Sequence, residues 1–213
     1  KKQHRRLSKT KDPGINSVPV GSEDIIEMYP LDFEEFLWAN GMSTGVIDAL
    51  SKCYAQESPV PAGIHAALKN MLNLYVAVGG LPDAVNAFLR TNNMNEVRKV
   101  YQSILKEYRD DMVKYAPDKD KPHIRECFNS VPKQLAKENK KFIYGAVREG
   151  ARAKDFEMAI QWLVDAGLVY RISRVRDVGM PLKFYEDLTA FKLFLLDVGL
   201  LGALSEMEPS QML

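Results

Sequence analysis

The chain has 213 residues, 46% of them hydrophobic, and a formal net charge of +1; this length fits one large domain or two small ones with a sizeable core. Its two cysteines, Cys53 and Cys127, lie far apart and outside any metal-site spacing, which argues against a disulfide framework and points to a reducing compartment. No apolar run approaches the roughly 18 residues a membrane span needs, and the basic start leads into Pro13-Gly14, so the expectation is a soluble cytoplasmic protein with no signal peptide and no membrane partner.

The near-neutral total hides an uneven distribution. Residues 1–11 carry six Lys/Arg and no acid, residues 12–60 carry nine acids and one Lys, and residues 133–183 carry eleven Lys/Arg against six acids. The first stretch reads as a basic arm ending in the turn Asp12-Pro13-Gly14. Ser17-Val18-Pro19-Val20 is a short extended piece, and its proline places it at a sheet edge; Ile25 to Leu31 continues as a second extended piece. From Asp32 the period becomes helical. Asp32 with Glu35 makes a capping box, Phe33, Phe36 and Leu37 form a face, and Gly41 stops the helix. Ser43 or Thr44 caps the next helix, which carries Val46, Ile47, Leu50 and Tyr54.

After Ser58-Pro59-Val60-Pro61, apolar groups recur at helical spacing from Ile64 through Leu68, Met71, Leu72, Tyr75 and Val76. Gly79-Gly80 makes a helix–helix corner, and Pro82 opens the following helix where its missing N–H costs nothing; the face there is Val85, Phe88 and Leu89. Asn93 with Glu96 gives a second capping-box pattern ahead of a long helix through Val97, Tyr101, Leu105, Met112 and Tyr115. A helix around 122–136 contains Pro132, so a kink or break near Ser130 is expected. His65, in the apolar helix 62–78, reads as an interior group.

The run from Lys140 onward has the order of a winged helix. Phe142 to Val147 is a short helix and Gly150-Ala151 a turn. Phe156, Ala159, Ile160, Leu163 and Ala166 share one face of a longer helix, with Trp162 beside it. Leu168 to Ile172 and Ala190 to Leu195 read as strands around a wing loop at Asp177 to Pro181, and Asp197 caps a closing helix. A winged helix is built to meet nucleic acid or another protein domain. Its basic groups here are Lys140, Lys141, Arg148, Arg152, Lys154, Arg171, Arg174 and Arg176, which a DNA binder would set against phosphates. Against that use, the outer face of the second helix offers Asp155, Glu157, Met158, Gln161 and Asp165, and carboxylates there repel phosphate. Docking to protein is therefore the reading preferred over DNA. No phosphate loop, HExxH or CxxC pattern is present, and no residue is assigned a catalytic, cofactor-binding or metal role.

Four phrases, in order, carry a family resemblance: Tyr29-Pro30-Leu31-Asp32-Phe33-Glu34-Glu35-Phe36-Leu37, Gly79-Gly80-Leu81-Pro82, Phe191-Lys192-Leu193-Phe194 and Asp197-Val198-Gly199-Leu200-Leu201. The chain from about Ser17 to Leu204 resembles the part after the ATPase core in uncharacterised prokaryotic AAA-type ATPases that carry a C-terminal domain of unknown function, number 4143. The resemblance implies an ATP and Mg site upstream of Ser17, with none of its residues in this chain. It also implies that Ser17 to Val20 ends the ATPase sheet and that the basic arm is the loop before it. Many members show Gly-Arg where this chain has Gly21-Ser22, and members often continue into a nuclease-like tail.

The expected architecture is mainly α: a basic arm and extended segment over 1–31, a helical domain over 32–121, a winged helix with a small β-hairpin over 122–204, and a tail over 205–213. The expected function is a non-catalytic regulatory or docking module of an AAA-type ATP-binding protein, its partner the upstream ATPase domain or another subunit. The alternative is a winged-helix DNA-binding protein.

Overall fold

A computed structural model describes residues 27–207. The basic arm, the expected strand Ser17–Val20 and residues 208–213 of the tail lie outside the described residues. The described part is mainly helical with one small antiparallel sheet. Its helices are α1 (Phe33–Ala39), α2 (Thr44–Ala55), α3 (Ala62–Val78), α4 (Pro82–Thr91), α5 (Met94–Tyr115), α6 (Lys121–Leu135), α7 (Tyr144–Val147), α8 (Ala153–Asp165) and α9 (Val198–Leu204). The strands β1 (Val169–Val175) and β2 (Glu186–Leu195) follow α8, with a 3₁₀ turn at Leu182–Tyr185 between them. The chain divides into two compact units, one of residues Glu107–Leu196 and one of Tyr29–Lys106 together with the segment from Asp197. The division falls inside α5, and α9 belongs with the earlier helices.

In the helical unit, local signals act where the sequence places them. Asp32 accepts from Glu35 N at 2.8 Å and Glu35 returns the bond to Asp32 N at 3.0 Å, closing the capping box. Phe36 and Leu37 are buried, and Phe36 meets Tyr75 of α3 edge-on at 5.2 Å between ring centroids. The chain turns by 116° between α3 and α4, with Gly79 at φ +80°, a conformation in which any Cβ is strained. Asn93 caps α5 by accepting from Asn95 N at 2.9 Å, but the expected second capping box does not close: Asn93 N donates to the Thr91 hydroxyl at 3.3 Å and Glu96 pairs with Lys99 at 2.6 Å. Two expected faces are shallower than the spacing suggested. No residue of α2 is buried, and Tyr54 is 89% exposed. His65 is exposed on α3, a correction to its reading as an interior group: the first half of α3 is only partly covered, and Ala77 and Val78 at its end are what it buries.

The other unit packs α6 against α8, with Ile124, Cys127, Phe128 and Val131 on one side and Phe156, Ala159, Ile160 and Leu163 on the other, all buried. Cys127 and Cys53 are both free thiols. Burial, followed by the nearby Glu126 and Glu157 carboxylates, pushes the Cys127 thiol up to about 12, so it stays protonated and unreactive at neutral pH. Pro132 does not break α6. The cost of its missing N–H is offset by the burial of Phe128 and Val131 before it and of Gln134 two residues on. Gln134, almost fully buried, donates to Ile143 O at 2.9 Å and accepts from Ile143 N at 3.2 Å.

This clamp fixes the segment ahead of α7, and there Phe142 N donates to Phe191 O at 2.9 Å on the edge of β2 away from β1. The Phe142 and Phe191 rings stack at 5.4 Å. Strands β1 and β2 pair antiparallel from Val169↔Leu195 to Val175↔Glu186, with an irregularity between Ser173 and Arg174. The hairpin is longer than the expected pair of strands, since β1 runs on to Val175 and β2 starts at Glu186.

Candidate functional site

Three of the four phrases behind the family resemblance meet in the helical unit, around Gly79-Gly80. Leu31 N donates to Gly80 O at 2.7 Å, and Tyr75 OH donates to Leu31 O at 2.8 Å. From the C-terminal side, the Asp197 carboxylate accepts from Gly80 N at 2.6 Å and from Leu200 N at 2.8 Å, so it caps α9 as expected and also holds the corner. The Tyr101 hydroxyl lies 2.7 Å from Asp197 Oδ1 and 2.9 Å from Val78 O.

Asp197 is 6% exposed and Tyr101 2%; burial and then the Asp197 carboxylate push the Tyr101 phenol well above its usual range. The glycines are needed here: a Cβ on Gly79 would sit against the Tyr101 hydroxyl and 2.6 Å from Asp197 Oδ1, and a Cβ on Gly80 would collide with Leu31 O. Tyr101, Tyr75 and Asp197 are thus committed to holding backbone together. The sequence marked Gly79-Gly80 and Asp197 separately, but Tyr101 carried no signal beyond its place on a helical face.

The eight basic residues fall into two sets. Four hold carboxylates inside their own unit. Arg171 on β1, largely buried, pairs with Glu157 of α8, donates to Leu188 O at 3.1 Å and lies 4.0 Å from the Phe191 ring centroid. Burial alone would raise the Glu157 carboxyl; the Arg171 guanidinium and the Tyr144 hydroxyl, 2.8 Å away, outweigh it and hold it below its usual range. Arg174 and Arg176 share Asp187, at 2.6 and 3.7 Å. The Thr189 hydroxyl and then Arg174 hold that carboxyl well below the ordinary range. Arg148 lies 3.4 Å from Glu126 and over the Phe156 ring.

The remaining four, Lys140, Lys141, Arg152 and Lys154, are exposed and have no carboxylate partner among the described residues. The outer face of α8 carries exposed Asp155, Met158, Gln161 and Asp165, and Gln161 is tied to Asp165 at 2.7 Å. Glu126, Glu157 and Asp187, which decide how much positive charge this unit presents, were not separable from other surface acids in the sequence.

Beyond β1, the segment leading into β2 exposes apolar bulk. Val178, Met180 and Phe184 are 86%, 85% and 82% exposed, with Leu188 and Leu182 less so. No group of three or more His, Cys, Asp or Glu side chains among the described residues is arranged to hold a metal ion. No single helix among them is long and apolar enough to cross a membrane.

Residues 69–211 match the model of a family described as a domain of unknown function, DUF8612. That match covers most of the chain, and the chain belongs to this family. Neither the curated proteins nor the solved structures contain a match.

Proposed function

We propose that the chain is a non-catalytic docking and regulatory module of an AAA-type ATP-binding protein, and that its 122–196 segment is a winged helix that meets protein. The observation that carries the docking reading is the internal pairing of Arg171, Arg174 and Arg176 with Glu157 and Asp187. Guanidiniums already neutralised by carboxylates of their own unit have little left for a phosphate backbone, and an acidic α8 face adds repulsion. The winged-helix reading is supported by order and register. Helix α6, a bridge at Phe142, the α7–α8 pair and the β1–β2 hairpin follow one another, and Phe142 joins the edge of β2 that β1 leaves open.

The ATPase context rests on the four sequence phrases. In that context ATP and Mg belong to a segment ahead of Ser17, and this chain supplies the partner surface. Purified alone with Mg and ATP, the chain should neither bind nor hydrolyse nucleotide; Mg-dependent turnover that survives repurification refutes the reading. A full-length polypeptide with no GxxxxGK[ST] ahead of Ser17 would remove the ATPase context altogether.

A second reading, a DNA-binding winged helix, keeps one observation in its favour: Lys140, Lys141, Arg152 and Lys154 stand free of carboxylates among the described residues. It expects duplex affinity that falls steeply with salt and drops when these four become alanine. Affinity indifferent to both dismisses it.

A further inference from the structure

We propose that Asn40 is a site of spontaneous deamidation, and that opening of the last turn of α1 sets its rate. Asn40-Gly41 is the only Asn-Gly pair in the sequence. Deamidation begins when the amide nitrogen of the following residue attacks the asparagine side-chain carbon, and a glycine there has no Cβ to hinder the approach. The site has room: Gly41 is exposed, and beyond its chain neighbours no atom lies within 4 Å of the place its Cβ would occupy.

The fold holds the two reacting groups apart. Asn40 is the C-cap of α1, at φ −88° and ψ 12°. Gly41, at φ +80°, donates its N–H to Trp38 O at 2.9 Å, and Met42 N donates to Leu37 O at 2.9 Å, the paired bonds of a Schellman ending. The Asn40 side chain turns back along the helix, its Nδ2 donating to Phe36 O at 2.8 Å. Ring closure therefore requires the Gly41 and Asn40 bonds to be given up together. Such an opening costs little here, because α1 has seven residues and α2 beyond it buries none.

In the open turn the Gly41 N–H loses its proton to a solvent base, and its nitrogen bonds to Asn40 Cγ. The Cγ–Nδ2 bond breaks, and the departing nitrogen takes up a proton and leaves as ammonia. Water then opens the succinimide at either carbonyl, giving aspartate or isoaspartate with no oxidant or reductant. Neither product restores the turn. A carboxylate has no N–H for Phe36 O and is disfavoured at the carbonyl end of a helix, and isoaspartate lengthens the backbone where the Schellman bonds need fixed spacing. This inference concerns the covalent fate of α1 and does not rest on the ATPase reading.

The test is peptide mass spectrometry of the 213-residue chain held warm in mildly alkaline buffer, beside the same chain unfolded in urea. The peptide spanning Asn40 should gain a single mass unit in both, about tenfold or more slowly in the folded chain. Asp32→Ala removes the capping box at the other end of α1 and leaves the Asn-Gly pair intact. With circular dichroism confirming that it folds, this variant should speed the folded reaction about threefold or more and leave the rate in urea unchanged. No conversion in the folded chain after about a hundred half-times of the urea sample overturns the site. Equal rates in the folded and unfolded chains, or an Asp32→Ala variant no faster than wild type, overturn the control by helix opening.

Discussion

At the Gly79–Asp197 junction the Asp197 carboxylate and the Tyr101 hydroxyl are buried and paired, and the glycines leave no room for a Cβ; the segment between β1 and β2 is built the other way, with large apolar side chains in water. The first arrangement spends polar chemistry on fixing backbone, where a low dielectric makes each bond count and each vacancy costly. The second contributes little to the chain's own stability, since exposed apolar side chains have given up no water. The same sequence therefore holds one region where a substitution should cost the fold heavily and another where it should cost the fold little.

Gly80→Ala should have the largest effect. Its Cβ meets the Leu31 backbone, which cannot swing aside as a side chain tip can, so a loss of about 3 kcal/mol or more is expected, read as a lower urea midpoint. An unchanged midpoint would mean that the corner is looser than the Leu31–Gly80 bond implies. Asp197→Ala comes next. It strips partners from Gly80 N, Leu200 N and Tyr101 OH at once, for an expected loss of about 2–4 kcal/mol, whereas Tyr101→Phe removes only the hydroxyl, for about 1–2 kcal/mol. Equal losses for these two variants would place the junction's strength in the phenol and not in the carboxylate.

Asp187→Asn should change the acid limb of the stability curve. Because the folded carboxyl is held below the ordinary value of about 4, its ionised form stabilises the fold above that pH, and the gain fades as pH falls further. Wild type should thus lose stability between about pH 5 and pH 3 more steeply than the variant; parallel curves would show that Thr189 and Arg174 do not hold it. Smallest of all is Phe184→Ser, expected to leave the urea midpoint within about 0.5 kcal/mol of wild type. A larger drop would show that the segment around Phe184 packs on its own unit.

What could be read from the sequence was what acts over a few residues. The Asp32–Glu35 box, the Asn93 cap, the Gly79-Gly80 corner, Pro82 at the start of α4 and Asp197 at the start of α9 all involve groups within a turn of one another, and the structure has each where the pattern put it. What could not be read was pairing at a distance. Gly80 and Asp197 are separated by 117 positions, and nothing in either phrase names the other. Arg171 and Arg174 looked free for the same reason: their carboxylates come from α8 and β2. Helix α2 shows the limit of periodicity, which marks an apolar face without saying whether anything covers it. The start of β2 was missed because Leu182–Tyr185 turns as a 3₁₀ segment, whose spacing follows neither the strand nor the α-helical period.

The helical unit is discontinuous in the chain: its first part ends at Lys106, and its last helix begins only after Leu196. During synthesis the Glu107–Leu196 unit is therefore complete while α1 to α4 still lack their closing partner. Until Asp197 leaves the ribosome, the amide of Gly80 has no carboxylate to meet, and α3 has no α9 to lie against. A nascent chain halted anywhere before that residue should expose its early helices to protease, and release of the final segment should shut them.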